Sequence, residues 1–177
     1  MKFWVGIIPP KRISKELYRA QKDIAKKYKT YHSLESKIGP HITITCQGNV
    51  SNKHLRDIEK AIKEISERIE PFEIRIDGLG RFYKKRVIYA KVVKSKKLNK
   101  LHNLMSYKLR KFDKIRVLRI YTPHINLAYK DISEENFKKV FKEFNKKRFY
   151  FRFNMNRIYI GKSKPSQRIK VYKSFKV

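Results

Sequence analysis

Gly39-Pro40-His41-Ile42-Thr43-Ile44-Thr45-Cys46 and Thr122-Pro123-His124-Ile125-Asn126-Leu127-Ala128-Tyr129 share one pattern. In each, a proline precedes a histidine, and polar or small residues then alternate with aliphatic ones. Alternation over this length predicts a half-buried strand. Side chains alternate across a strand, so His41, Thr43 and Thr45 are expected on one face and Ile42, Ile44 and Cys46 on the other. Likewise His124, Asn126 and Ala128 oppose Ile125, Leu127 and Tyr129. The apolar faces should pack under helices, which leaves the polar faces to solvent or to a cleft.

The echo extends outward from both stretches. Ser51 is placed to cap a helix with Leu55, Ile58, Ile62, Ile65 and Ile69 at spacings of three and four, the strongest helical signal in the chain. Ser133 is placed to cap another, with Phe137, Val140, Phe141 and Phe144 as its stripe. A strand pair follows each helix. After the first, residues 72–76 alternate and are read as ending at Gly78 and Gly80, and residues 87–93 return. Residues 81–86 are expected to form a basic hairpin loop carrying Phe82 and Tyr83. After the second, strands are predicted over 149–161 and 168–176, with Gly161, Lys162, Lys164 and Pro165 in the turn.

Two further helices and an opening strand complete the reading. Residues 2–8 read as a buried strand ending at Pro9-Pro10. Ser14 is taken as the N-cap of a helix running to about Lys29 with Leu17, Ala20, Ile24 and Tyr28 inside. Residues 31–39 read as a loop, and Leu98, Leu101, Met105, Leu109 and Phe112 form the inner face of a third helix. A repeat of this kind implies two similar α+β lobes, and 177 residues suffice for one domain, 1–177, built from both.

Two lobes related by a pseudo-twofold would turn their polar strand faces toward each other, so that His41 and His124 flank a single phosphate. An imidazole titrates near pH 6.5. One neutral ring can take a proton from an attacking water while a protonated partner gives one to the leaving oxygen, without a metal. Thr43 points the same way and can donate to a non-bridging oxygen, and Asn126 occupies the equivalent place. His32, His54 and His102 read as solvated or structural.

The charge supports a phosphate-rich partner. There are 46 Lys and Arg against 15 Asp and Glu, a formal net charge of +31. A hot habitat would enrich Glu along with Lys, which is not the case here, whereas nucleic acid accounts for the excess through release of condensed counterions. Cys46 is the single cysteine, so an intramolecular disulfide is ruled out, and one Cys with five scattered His builds no metal framework. The apolar run at the start lacks the flanks of a secretory signal, and no stretch reaches bilayer length. A soluble, cytoplasmic protein with no cofactor is expected, with no sign of an obligate dimer.

The sequence resembles the 2H phosphoesterase superfamily, and within it the RNA 2′,3′-cyclic phosphodiesterases, also called 2′–5′ RNA ligases. That family carries two His-x-Thr/Ser-x motifs, matched here by His41-Ile42-Thr43-Ile44 and His124-Ile125-Asn126-Leu127. Phe3-Trp4-Val5-Gly6-Ile7-Ile8-Pro9, Gly78-Leu79-Gly80-Arg81-Phe82 with Val87-Ile88-Tyr89-Ala90, and Tyr121-Thr122-Pro123-His124 match further landmarks in order along nearly the whole chain. The resemblance implies a bilobal fold with antiparallel sheets lining a central groove and helices outside. It implies metal-independent hydrolysis of RNA 2′,3′-cyclic phosphates to 2′-phosphomonoesters, with reversible 2′–5′ ligation in some members. By position, His41 is the proton donor and His124 the proton acceptor.

Asn126 departs from the family pattern, which has Thr or Ser there, and reduced activity is expected. Arg119, Tyr121, Phe82 and Tyr83 are candidate substrate contacts, the aromatic rings by stacking on bases. Tyr129 could stack in the same way; Lys162 and Lys164 could hold downstream phosphates but read rather as ordinary surface. Two other readings stay open: a non-catalytic RNA-binding relative, and an esterase for 2′–5′ oligoadenylate or a small cyclic nucleotide.

Overall fold

A computed structural model describes residues 1–112, 120–164 and 167–177, with backbone alone at 46–48. Eight strands form two four-stranded antiparallel sheets. One sheet has the order β2-β1-β7-β8, from Ile42–Asn49, Lys2–Ile7, Arg157–Ser163 and Lys170–Lys176. The other has the order β5-β4-β3-β6, from His124–Ala128, Val87–Val92, Phe72–Phe82 and Tyr150–Met155. The α+β, pseudo-twofold reading holds: each histidine motif opens an edge strand, paired with the strand that starts its half of the repeat.

The helices cross between the sheets. α1 (Lys11–Tyr28) follows β1 yet packs on β5 of the other sheet, and α3 (Lys96–Leu109) follows β4 yet packs on β2. α2 (Leu55–Ser66) lies against α3 and β8, and α4 (Glu134–Phe144) against β4 and β3. One continuous buried cluster runs from Phe3 and Ile44 through Ile76 and Ile88 to Ile125 and Val140. Burial of apolar area at about 25 cal/mol per Å² drives this assembly, and the amphipathic helix faces supply much of it.

Several boundaries differ from expectation. α1 starts three residues before Ser14, because Pro10 at the N-cap needs no backbone donor and its carbonyl accepts from Ser14 N at 2.9 Å. The Ser14 hydroxyl instead donates back to Pro9 O at 2.8 Å. Residues 31–39 contain a 3-10 turn, His32–Glu35. Ser51 caps the short 3-10 turn Asn52–His54 that leads into α2, accepting from Lys53 N. Gly78 and Gly80 do not end β3. At Gly78, φ is +74° inside a register jump between Ile76 and Leu79, so a bulge carries the strand on to Phe82. The expected strand over 149–161 breaks at Asn156 into β6 and β7, which join different sheets.

The alternation inside the motifs also fails, in the same way twice. Val5 pairs with Thr45 and Gly6 with Thr43, so Ile44 is an extra residue in the strand. Ile88 pairs with Ala128 and Tyr89 with Asn126, so Leu127 is the extra residue in the second. A bulge turns the next side chain to the same side. Thr45 and Ala128 are therefore fully buried beside Ile44 and Leu127, and neither shares the face of its histidine as expected.

Candidate active site

Both histidines are held by one local device. His41 Nδ1 lies 2.8 Å from Gly39 O and His124 Nδ1 lies 2.7 Å from Thr122 O. A carbonyl only accepts, so Nδ1 carries the proton in each ring and Nε2 is the nitrogen without one, able to accept a proton. The proline between anchor and histidine stiffens this turn. Aromatic edges fix the ring planes. Trp4 meets His41 edge-on at 4.9 Å, while Phe82 and Tyr89 each lie 5.1 Å from His124.

Two glycines make room for these rings. A Cβ on Gly6 would lie 2.2 Å from the Trp4 ring, and one on Gly80 would lie 2.3 Å from the Tyr89 ring. The Trp4 indole also donates to Thr43 Oγ1 at 3.1 Å. Its acceptor lone pair thus engaged, the Thr43 hydroxyl keeps its own proton to donate.

Burial lowers the pKa of both imidazoles below the ordinary 6.5, opposed in part by the anchoring carbonyls. Nearby positive charge adds to the effect. His124 acts on His41, which puts the two rings within electrostatic reach, and Lys85 acts on His124.

A cavity of about 670 Å³ adjoins His41, with Asn126 of the second motif, Trp4 and Gln21 also in its walls and Lys37 and Arg168 among its cations. The Asp131 carboxylate fixes one wall by accepting from Thr30 Oγ1 (2.5 Å), Tyr31 N (2.6 Å) and His32 N (2.9 Å). His32 and Tyr129 reach the same cavity, with ring centroids 5.5 Å apart.

The remaining sequence candidates divide. Phe82 stands against His124. Tyr83 is 62% exposed on the hairpin, with the Arg81 guanidinium 4.4 Å from its ring. Tyr121 is buried; one ring face is stacked on His102 at 4.0 Å, and its hydroxyl donates to Thr43 O at 3.1 Å. Burial pushes its phenol pKa up, so it stays a neutral donor. Arg119 lies outside the described residues. Lys162 extends over the Tyr172 ring between β7 and β8. Trp4 is marked in the sequence only as part of the opening-strand landmark, and Gln21 and Lys85 carry no mark, because nothing local distinguishes a wall residue from a core or loop residue.

Residues 9–166 match the profile of the 2′-5′ RNA ligase superfamily. The chain belongs to that superfamily. As a 2H phosphoesterase it is 29% identical over 140 residues to the RNA 2′,3′-cyclic phosphodiesterase of Bacillus subtilis (strain 168), covering 76% of this chain and 74% of that one. Its fold is similar to that of a protein from Thermus thermophilus, at TM-score 0.73 and 16% identity over 99% of this chain and 97% of that chain. It is also similar to E. coli LigT complexed with 3′-AMP, at TM-score 0.71 and 15% identity over 99% and 97% of the two chains. Among the described residues of this 2H phosphoesterase, no three His, Cys, Asp or Glu side chains converge as a metal site, and no helix is long and apolar enough to cross a membrane.

Proposed function

We propose that the protein hydrolyses RNA 2′,3′-cyclic phosphate ends to 2′-phosphomonoesters by general acid–base catalysis between His41 and His124. The observation that supports this best is the matched pair itself. Each Nδ1–H is committed to the carbonyl two residues back, so each Nε2 is free for proton transfer.

In the forward step, His124 Nε2 takes a proton from water as its oxygen bonds to phosphorus. The P–O3′ bond breaks and His41 Nε2 delivers its proton to O3′. Lys85 favours neutral His124, which suits the accepting role. The phosphate anion itself favours a protonated His41 once bound. Thr43 donates its hydroxyl proton to a non-bridging oxygen as charge builds, and the Asn126 amide serves the second lobe. With a 5′-hydroxyl in place of water the same roles make a 2′–5′ linkage and release O3′ as a hydroxyl. In reverse, His41 takes the proton from O3′ as it attacks phosphorus, His124 gives one to the departing 5′-oxygen, and the linkage is cut.

The RNA body lies over the basic surface that the +31 net charge provides, with Phe82 and Tyr83 offered to bases. The relatives named for a cyclic phosphodiesterase and for a nucleotide complex agree with this substrate class. The test is a short RNA with a 2′,3′-cyclic end, incubated with the protein in EDTA. Formation of the 2′-phosphate is expected. RNA binding without turnover would favour a binding protein that has lost its chemistry, with Asn126 the first residue to examine.

A further inference from the structure

Both motif strands are edge strands, and both are bulged one residue past Thr43 or Asn126. An edge strand has no ladder partner on its outer side, and a one-residue slip moves every side chain to the other face. Something must therefore hold these bulges, and the crossed helices do. From α3, His102 is 3% exposed and its Nδ1 sits 2.6 Å from Ile44 O, the carbonyl of the bulged residue. Tyr121, stacked on that imidazole with an interplanar angle of 1°, donates to the adjacent Thr43 O. From α1, Gln21 is also 3% exposed, and its Nε2 donates to Asn126 O at 2.7 Å.

The chain order makes this a reciprocal arrangement. α1 belongs to the half of the repeat that contains His41, yet Gln21 secures the strand of His124. α3 belongs to the half that contains His124, yet His102 secures the strand of His41.

We infer that His102 with Tyr121, and Gln21, are positioning residues: each crossed helix pins the bulged catalytic strand of the opposite lobe, so that the two halves of the site are set relative to one another. Buried polar side chains on otherwise apolar helix faces are thereby explained. Each satisfies a main-chain oxygen that would otherwise be buried without a donor. The catalytic reading of His41 and His124 underlies the functional half of this inference, while the geometric half stands apart from it.

The experiment uses the full chain with a cyclic-phosphate RNA and two readouts, steady-state kinetics and the indole N–H resonance of Trp4. The chain has a single Trp, and its indole donates to Thr43, so this one signal reports the position of Thr43. His102→Leu is expected to move the indole resonance and lower kcat about ten- to a hundredfold, the effect of a sub-ångström to 1 Å misplacement, with KM little changed. His102→Asn places an amide donor where Nδ1 was, and is expected to restore both signals. Gln21→Met should lower kcat while leaving the indole resonance in place and moving the His124 imidazole signals.

Should His102→Leu fail to fold, Tyr121→Phe removes one oxygen, keeps the stack, and is expected to shift the same resonance with a smaller loss of kcat. Folded His102→Leu or Tyr121→Phe protein with wild-type kcat and an unmoved indole signal overturns the inference. So does a kcat loss in His102→Leu that His102→Asn leaves unrepaired. If the wild-type protein turns over no RNA, the functional reading fails, and the indole resonance alone decides whether His102 positions Thr43.

Discussion

The two ends of the site are built alike and finished differently. At both, a histidine is anchored through Nδ1 to the carbonyl two residues back, on an edge strand that bulges at the same place. Beyond that they diverge. The first end has Thr43, oriented by the Trp4 indole, and a strand held by two donors, Tyr121 and His102. The second has Asn126, one donor from Gln21, two aromatic rings on the imidazole, and Lys85 near it. In the proposed reaction, what is shared would set the proton-transfer geometry, and what differs would set which ring gives the proton and how firmly the transition-state oxygens are held.

The difference in hydroxyl and amide gives the largest predicted effect. Thr43→Val removes an oriented donor and should lower kcat about a hundredfold or more, as loss of one oxyanion donor does. Asn126→Ala should cost about tenfold, within the lower reach of such donors because a planar amide is less well aimed. Asn126→Thr should raise kcat severalfold by making the two ends alike. An unchanged rate in Asn126→Thr would remove Asn126 from the oxyanion contacts.

The difference in charge should appear in pH profiles. Both imidazole pKa values are lowered, so kcat/KM should peak on the acid side of about 6.5. It should fall at higher pH as the donor loses its proton and at lower pH as the acceptor gains one. Lys85→Gln relieves the effect on His124, so its pKa rises and the acid limb should move to higher pH. If the alkaline limb moves instead, the donor and acceptor assignments are reversed.

Stability carries the smallest effect. A histidine whose folded pKa is depressed binds fewer protons folded than unfolded, so stability rises with pH between the folded value and about 6.5. The contribution is full above about 6.5 and is lost as pH falls through the depressed folded values. The Tm should decline as pH is lowered from about 8 to about 5, and less steeply in the His41→Asn/His124→Asn double variant. Equal slopes would mean that neither ring carries the linkage.

Much of this is legible in the sequence because the deciding signals are local. The Pro-His strands, the aliphatic stripes of α2 and α3 and the Ser133 cap are written in neighbouring residues, and the repeat pairs the histidines. The rest depends on contacts distant in the chain. Gly78 looks like a strand end until a bulge is seen to carry β3 through it. Asn156 gives no punctuation strong enough to announce that β6 and β7 part company. The motif bulges have no sequence mark, since Ile44 and Leu127 are ordinary strand residues, so simple alternation puts Thr45 on the wrong face. Gln21 draws no notice and His102 reads only as solvated or structural, because the carbonyls they satisfy lie 105 and 58 residues away.

The most direct measurement of whether His41 and His124 act as one pair on one phosphate is a double-mutant comparison of kcat for cyclic-phosphate hydrolysis. His41→Ala and His124→Ala should each lower kcat about a thousandfold, within the range of general acid–base catalysis. The double variant should be scarcely worse than either single one, as residues acting as a unit behave. Losses that multiply in the double variant, or substantial turnover in either single one, would contradict a shared two-histidine mechanism.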